Sequence, residues 1–239
     1  GVIDMASFLE HITPFYGTGE RNGKGQTLEE FLEEYDPYRY KNPCCTTDTV
    51  VFSYKDEQAL KEGRLKVLLV KRGNHPSIGC WALPGGFVNL RENLEDTARR
   101  ELEEETGVKD LPLEQFAVYG DYDRDPRTRV ITTAYLSLVN EQDITVRAGD
   151  DAADAAWCSL CLKEKEVHTG EVSRKVWQLH VSNEEKGLDT RAEVEETCRE
   201  GLIRERKFQV LTGGEIAVDH AAIIVQAMCI LADRLLEKR

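Results

Sequence analysis

The sequence predicts a mixed fold of β-strands and α-helices, in the α/β (α+β) class, and three observations support this prediction. Apolar, β-branched runs that are typical of strands recur along the chain from Thr46 onward. A strongly charged segment near residues 94–106 carries apolar residues at helical spacing. The C-terminal stretch 218–236 shows helical spacing as well. Because the two kinds of pattern alternate, we expect a sheet that packs against helices.

The patterns divide the chain into three predicted parts. Residues 1–42 are rich in glycine, include a helical pattern at 28–35, and are expected to form a surface arm. The strands expected in the central domain, 43–165, are 46–54, 65–71, 115–122, 130–139 and 155–160, the first two forming a hairpin around Gly63. The C-terminal extension, 166–239, is expected to hold strands at 176–181 and 207–211, a helix at 191–200, and a terminal helix packed on the domain.

Composition excludes several functional classes. With 31 Lys and Arg against 44 Asp and Glu among 239 residues, the net charge is −13, which opposes binding to a phosphate backbone. Nucleic acid is therefore an improbable partner. The longest apolar run, 221–232, is interrupted by Gln226 and is too short to span a bilayer, so no membrane association is expected. The N-terminus lacks the pattern of a secretory signal, which favours the cytoplasm.

The seven cysteines agree with a reducing compartment, because their number is odd and they are scattered along the chain. Only Cys158 and Cys161 have the spacing of metal ligands, and the sequence offers no second pair to complete a structural zinc site. We therefore expect ordinary free thiols.

The charged segment predicts a cation site. Asn93 is placed as an N-cap with Asp96 three residues later, and Gly107 is placed as a helix stop. Inside this helix, Glu101, Glu104 and Glu105 share one face, because residues three and four apart are neighbours on a helix. Crowded carboxylates repel one another, and a divalent cation such as Mg²⁺ removes the repulsion. A run of Glu taken alone is more often a solvated face.

The complete pattern is more specific than the run of glutamates. It fits G-x5-E-x7-R-E-U-x-E-E-x-G-U, where U is apolar, with these residues: Gly86, Glu92, Arg100, Glu101, Leu102, Glu104, Glu105, Gly107 and Val108. This segment resembles the Nudix box. The chain is thus similar to the Nudix hydrolases, which cleave a nucleoside diphosphate linked to another moiety.

The resemblance implies a fold and a set of roles. A Nudix-type mixed β-sheet sandwiched between helices is expected, with the arm and the C-terminal helical extension added to it. Glu101, Glu104 and Glu105 would bind Mg²⁺, for which Mn²⁺ could substitute, and the Gly86 carbonyl could reach the same ion. Glu92 would assist the site and Arg100 would orient the carboxylates.

Hydrolysis is expected to use a metal-activated water that attacks a phosphorus of the diphosphate. The general base could be a box glutamate or a distant acid. The distant candidates are Glu141, Asp150 and Asp151, although Asp150 and Asp151 also fit an ordinary turn of solvated acids.

Residues 36–160 resemble one branch in particular, the ADP-ribose pyrophosphatase-like proteins and their regulator relatives. The planar donors Arg72, Arg124 and Arg127 suit a diphosphate, and the aromatic residues Trp81, Phe87 and Tyr122 could stack on a base or ribose. Each has a plainer alternative: local ion pairs in the Arg-Asp-Pro-Arg turn, and core packing for Trp81 and Phe87. His220 is expected to cap or pack rather than to bind metal.

These observations favour hydrolysis of ADP-ribose to AMP and ribose 5-phosphate. One alternative is cleansing of damaged nucleotides. Another is an ADP-ribose-sensing transcriptional regulator, because relatives in this branch join a Nudix module to a DNA-binding winged helix. Residues 191–206 hold four Arg against five Glu, which is not the concentrated positive face that groove binding needs. The resemblance also implies a homodimer, with the N-terminal arm helping to complete the partner's substrate site.

Overall fold

The computed structural model describes residues 8–147 and 154–237 and divides the chain into two compact units, residues 1–42 and 43–239. In the first unit, the predicted helix is present as α1 (Leu28–Glu34). Thr27 caps it by accepting a hydrogen bond from the Glu30 backbone, while the Glu30 carboxylate accepts one from the Thr27 backbone at 2.7 Å. None of residues 8–42 is buried.

The second unit is built on one ten-stranded sheet. Its strands are β1 (Cys44–Tyr54), β2 (Lys66–Lys71), β3 (Trp81–Ala82), β4 (Gly85–Phe87), β5 (Glu114–Tyr119), β6 (Val130–Asn140), β7 (Asp154–His168), β8 (Ser173–Asn183), β9 (Leu188–Arg199) and β10 (Glu205–Thr212). Its helices are α2 (Glu57–Lys61), α3 (Leu94–Thr106) and α4 (His220–Glu237). The order across the sheet is β10-β9-β8-β7-β2-β1-β6-β5, with β3 beside β2 and β4 beside β1. β1 and β6 run parallel and the other pairs run antiparallel, so the sheet is mixed.

The sheet lies between α3 and α4, as alternate residues of its central strands demonstrate. Val50 and Phe52 of β1 pack in the core cluster that includes the buried residues of α4. Val51, between them, packs with Leu102 of α3 in a separate cluster. This arrangement confirms the predicted mixed sheet sandwiched between helices.

Helix α4 is buried because its first turns are apolar all round. Residues 220–225 are all buried, and the helix contacts β1, β8, β9 and β10. Within residues 8–147 and 154–237, no helix has both the length and the apolar character needed to cross a bilayer.

The predicted helix at 191–200 is wrong, because this segment forms strand β9. Its residues alternate strictly: Thr190, Ala192 and Val194 are buried, whereas Asp189 and Arg191 are exposed. A period of burial of two is that of a strand and not of a helix. Even the buried Glu196 is satisfied, by Arg206 at 2.7 Å and the Trp177 indole N–H at 2.7 Å.

The C-terminal extension differs from its prediction in a second respect. The boundary placed after residue 165 falls inside β7, and β8, β9 and β10 continue the same sheet. Helix is therefore confined to α4. The predicted hairpin of the first two strands is present as the antiparallel pair β1–β2, with α2 inserted in its connection.

Candidate active site

Helix α3 carries the predicted glutamate face. Ala98 and Leu102 are buried against the sheet, which leaves the carboxylates on the side towards β4 and solvent. The helix ends at Gly107, whose φ of +71° is the left-handed conformation that favours glycine. Asn93 is the N-cap residue as predicted, but its side chain accepts no hydrogen bond from the free backbone N–H groups of the first turn; its amide donates instead to the Asp96 carboxylate at 3.0 Å.

Arg100 connects the acidic residues of the box. Its Nε and Nη2 donate to the two Glu92 oxygens at 2.8 and 3.0 Å, and its Nη1 donates to Glu101 at 2.7 Å and Glu104 at 3.0 Å. Nη2 also reaches the Phe87 carbonyl at 3.2 Å. One planar guanidinium therefore sets the positions of three carboxylates relative to β4.

Glu92 is held as a carboxylate. Hydrogen bonds from Arg100 and then from the Thr97 hydroxyl lower the pKa of Glu92 to about 2. Glu92 precedes the helix, so it anchors the loop between β4 and α3 to the glutamate face. Glu103, two residues from Glu101 and Glu105 and thus on another face of the helix, pairs instead with Lys109 at 2.6 Å.

Two glycines of β4 allow its backbone to approach the carboxylates closely. A methyl group on Gly86 would overlap the Glu101 carboxylate, and one on Gly85 would overlap the Thr47 carbonyl oxygen and approach Asp48 Oδ1 to 2.8 Å. The Gly85 N–H donates to Glu105 Oε2 at 3.0 Å. The glycines therefore bring β1, β4 and α3 together at one point.

The charges at this point are consistent with a divalent cation. Burial, followed by the neighbouring charges of Glu101 and Asp48, raises the pKa of Glu105 to about 8. Burial also raises the pKa of Glu101. Several carboxylates close together in a partly dry site are suited to a hard divalent cation.

A cation would nevertheless have to compete with Arg100 for these oxygens. In the described part of the chain, no three His, Cys, Asp or Glu side chains are already arranged to hold a metal ion. Arg100 occupies one oxygen of Glu101 and one of Glu104, so a cation would bind the other oxygen of each or displace Arg100.

The cleft beside these carboxylates has a volume of about 260 Å³ and contains most of the substrate residues expected from the sequence. Arg72, Phe87, Arg124 and Arg127 line it, together with Glu105. Trp81 does not, because it is 2% exposed and packs in the core. Tyr122 lies outside the lining and is 81% exposed.

The arginines of the cleft have different partners. Arg72 donates from Nε to the Pro76 carbonyl at 2.7 Å. Arg124 is bound by Asp219, with both bonds at 2.8 Å, and Arg127 pairs with Asp125 at 2.8 Å. The Arg127 guanidinium also lies over the Phe87 ring, 5.2 Å from its centroid.

Three charged or titratable residues at the cleft were not predicted as site residues. Asp48 and His220 line it, and Asp219 holds Arg124. Asp48 is the only charged residue of β1, and a charge within an apolar strand was the signal that could have revealed it. His220 was expected to cap or pack, and it is indeed buried at the start of α4.

The distant base candidates lie elsewhere or outside the described residues. Glu141 pairs with Lys66 at 3.0 Å beyond the far end of β6, about 20 Å along the strand direction from Asp48. The structure therefore does not bring Glu141 to the cleft. Asp150 and Asp151 lie outside the described residues.

Comparison with known proteins places this geometry in a family. The model of the NUDIX domain matches residues 30–175. An ADP-ribose pyrophosphatase of Methanocaldococcus jannaschii is 43% identical over 142 residues, which cover 59% of this chain and 76% of that protein. The ADPR responsive transcriptional repressor NtrR of Acinetobacter baylyi is 40% identical over 114 residues, covering 47% of this chain and only 43% of the repressor.

A solved structure is similar over a longer stretch. The MutT/nudix family protein from Enterococcus faecalis aligns with a TM-score of 0.62 and 33% identity, covering 87% of this chain and 70% of that one. Coverage this large includes part of residues 166–239. The likeness therefore extends beyond the predicted central domain, 43–165.

Proposed function

Because this chain belongs to the Nudix family, we propose that it is a divalent-cation-dependent pyrophosphohydrolase that cleaves ADP-ribose to AMP and ribose 5-phosphate. The observation that carries the proposal is the convergence of Glu101, Glu105 and the β4 glycines beside a cleft lined with arginines. The similar ADP-ribose pyrophosphatase of M. jannaschii supports the choice of substrate. Mg²⁺ is the proposed cation, with Mn²⁺ as a substitute.

The cleft residues would bind the two ends of the substrate. Arg72 uses only Nε for the Pro76 carbonyl, so its terminal nitrogens can donate to diphosphate oxygens. Phe87 is 43% exposed at the cleft, and the Arg127 guanidinium lies over its ring. The exposed aromatic ring would provide a flat surface on which a base can stack.

The chain's own residues would prepare the attack in two ways. Arg100 fixes the orientation of Glu92 and Glu101, and the Gly85 N–H fixes that of Glu105. Bound among these carboxylates, a divalent cation would polarise a water and offset charge on the diphosphate. Glu105 is the described carboxylate best suited to accept the proton of that water, because its pKa of about 8 matches the operating range of a general base.

A substrate panel tests this proposal. The purified chain with Mg²⁺ or Mn²⁺ should release AMP and ribose 5-phosphate from ADP-ribose, faster than it hydrolyses 8-oxo-dGTP. Glu105→Gln should abolish the release, whereas the matched variant Glu103→Gln, on another face of the helix, should retain it. Absence of turnover on every diphosphate-linked nucleotide would contradict the proposal, and faster cleavage of 8-oxo-dGTP would favour nucleotide cleansing.

The second candidate is an ADP-ribose-responsive regulator, favoured by the 40% identity to the repressor NtrR. Because that relative is a transcriptional repressor, the comparisons do not support the expectation that nucleic acid is an improbable partner. The same cleft would then bind ADP-ribose as a signal. Specific, salt-sensitive DNA binding that ADP-ribose abolishes, with no hydrolysis, would establish the regulator in place of the enzyme. The proposed homodimer can be checked in the same preparations by light scattering.

A further inference from the structure

We propose that Asp48 is a further carboxylate of the cation site, supplied from outside the glutamate helix, and that His220 positions it. The inference rests on the proposed function, because it assigns a role in the same cleft. It joins β1, which precedes the box, to the start of α4, which follows it by more than 100 residues.

One carboxylate oxygen of Asp48 accepts a short hydrogen bond, and the other does not. Its Oδ2 accepts a hydrogen bond from the Thr132 hydroxyl at 2.7 Å, which fixes the side chain. Its Oδ1 lies 3.6 Å from His220 Nε2, beyond hydrogen-bond range, and on the Gly85 side of the cleft. Asp48 Oδ1, which makes no short hydrogen bond, is therefore the oxygen that lies at Gly85, whose N–H binds Glu105.

The negative charge of Asp48 has only long ionic contacts, beyond hydrogen-bond distance. Arg124 Nη2 lies 3.7 Å from it, but the same guanidinium makes two hydrogen bonds of 2.8 Å to Asp219. Asp48 Oδ1 and the N–H that binds Glu105 both lie at Gly85, so the buried Asp48 and the half-buried Glu105 meet at one point of the cleft. Two carboxylates that meet in a partly dry cleft are suited to share a divalent cation.

A second observation, on Thr46, points to a ligand in this part of the cleft. Thr46 precedes Asp48 by two residues, so both side chains lie on the same face of β1 and both line the cleft. The Thr46 residue is 8% exposed, and of the five buried side-chain hydroxyls that lack a hydrogen-bond partner among the described residues, only that of Thr46 belongs to a residue lining the cleft. Buried hydroxyls are almost always paired, so a water of the cation or a phosphate oxygen is the expected partner.

His220 is oriented by the backbone. Its Nδ1 accepts a hydrogen bond from the Leu83 N–H at 2.8 Å, so the proton of the ring lies on Nε2, which faces Asp48. His220 is 7% exposed and touches no box glutamate through a hydrogen bond in the described chain. It acts through Asp48 as a positioning residue, in the manner of groups behind a metal ligand.

Direct titration of the full chain with Mn²⁺ tests the proposal without relying on turnover. Asp48→Asn should weaken Mn²⁺ binding about tenfold or more, and His220→Ala should weaken it about 10-fold to 100-fold, as is usual for residues behind a ligand. His220→Gln, whose amide can still accept from Leu83 and donate onward, should retain most of the affinity. Glu103→Gln serves as the matched control and should bind Mn²⁺ like the parent.

The outcomes separate this inference from the proposed function. Parent protein that binds no Mn²⁺ and hydrolyses nothing contradicts the proposed function. Parent protein that binds Mn²⁺, loses it in Glu105→Gln, but keeps its full affinity in Asp48→Asn overturns the role of Asp48 alone. If Asp48→Asn fails to fold, Thr132→Val removes only the hydroxyl that orients Asp48, and an unchanged Mn²⁺ affinity in that variant also overturns it.

Discussion

Arg100 binds Glu92 through two hydrogen bonds, from Nε at 2.8 Å and from Nη2 at 3.0 Å, while its remaining nitrogen serves Glu101. This geometry needs a planar group with donors on three sides. A lysine would keep the charge and lose the simultaneous contacts. The loop before α3 and the glutamate face would then move independently.

Arg100→Lys should therefore lower kcat/KM about 10-fold to 100-fold, because a misplaced carboxylate weakens catalysis more than it weakens folding. Steady-state kinetics on ADP-ribose measures the effect. Arg99→Lys is the matched control, since Arg99 pairs with Glu95 and the Leu111 carbonyl, away from the cleft. Equal losses in both variants would contradict a specific role for Arg100.

The raised pKa of Glu105 predicts how stability depends on pH in the absence of metal. Because the folded pKa is about 8 and the usual value is 4.5, the folded chain holds this proton more tightly than the unfolded chain. The contribution of Glu105 to the free energy of unfolding is thus full below pH 4.5 and is lost as pH rises towards 8. Urea unfolding in EDTA at a series of pH values measures it.

In the Glu105→Gln variant this loss should disappear, so the variant should be more stable than the parent near pH 9 and not near pH 4. Added Mg²⁺ should stabilise the parent more at the higher pH, because it binds the ionised carboxylate. If the free energy of unfolding changes by the same amount between pH 4 and pH 9 in the parent and in the variant, the pKa of Glu105 is not raised and this prediction is wrong.

Gly86→Ala should displace the Glu101 carboxylate, because a methyl group at this position overlaps it. We expect a stability loss of about 1–3 kcal/mol from overpacking and a loss of activity that is larger than this stability loss explains. Gly120→Ala is the control, since its added methyl would meet only Ile131 at 3.8 Å. Thermal unfolding and kcat, measured on both variants, separate the two effects.

Phe87 and Tyr122 should differ in their effect on substrate binding. Phe87 lines the cleft under Arg127, so Phe87→Ala should raise KM about 5-fold to 10-fold through the loss of about 1 kcal/mol of stacking. Tyr122 is 81% exposed outside the cleft, so Tyr122→Ala should leave KM unchanged. A rise of KM in the tyrosine variant alone would reverse this assignment.

The sequence by itself determined the glutamate helix, most strands of the central domain and the family. These features depend on local spacing: Glu101 and Glu105 share a face because they are four residues apart on a helix. The helix predicted at 191–200 was wrong, because the buried positions of β9 follow a period of two, which is that of a strand.

Only the tertiary structure decided which residues meet at the cleft. Asp48, Glu105 and His220 come from β1, α3 and α4, and no local pattern relates their positions. The structure also separated the aromatic residues, with Trp81 in the core, Phe87 at the cleft and Tyr122 in solvent. Sheet pairing and burial are long-range properties, so a side chain's neighbours follow from the packing of the whole chain and not from its own sequence context.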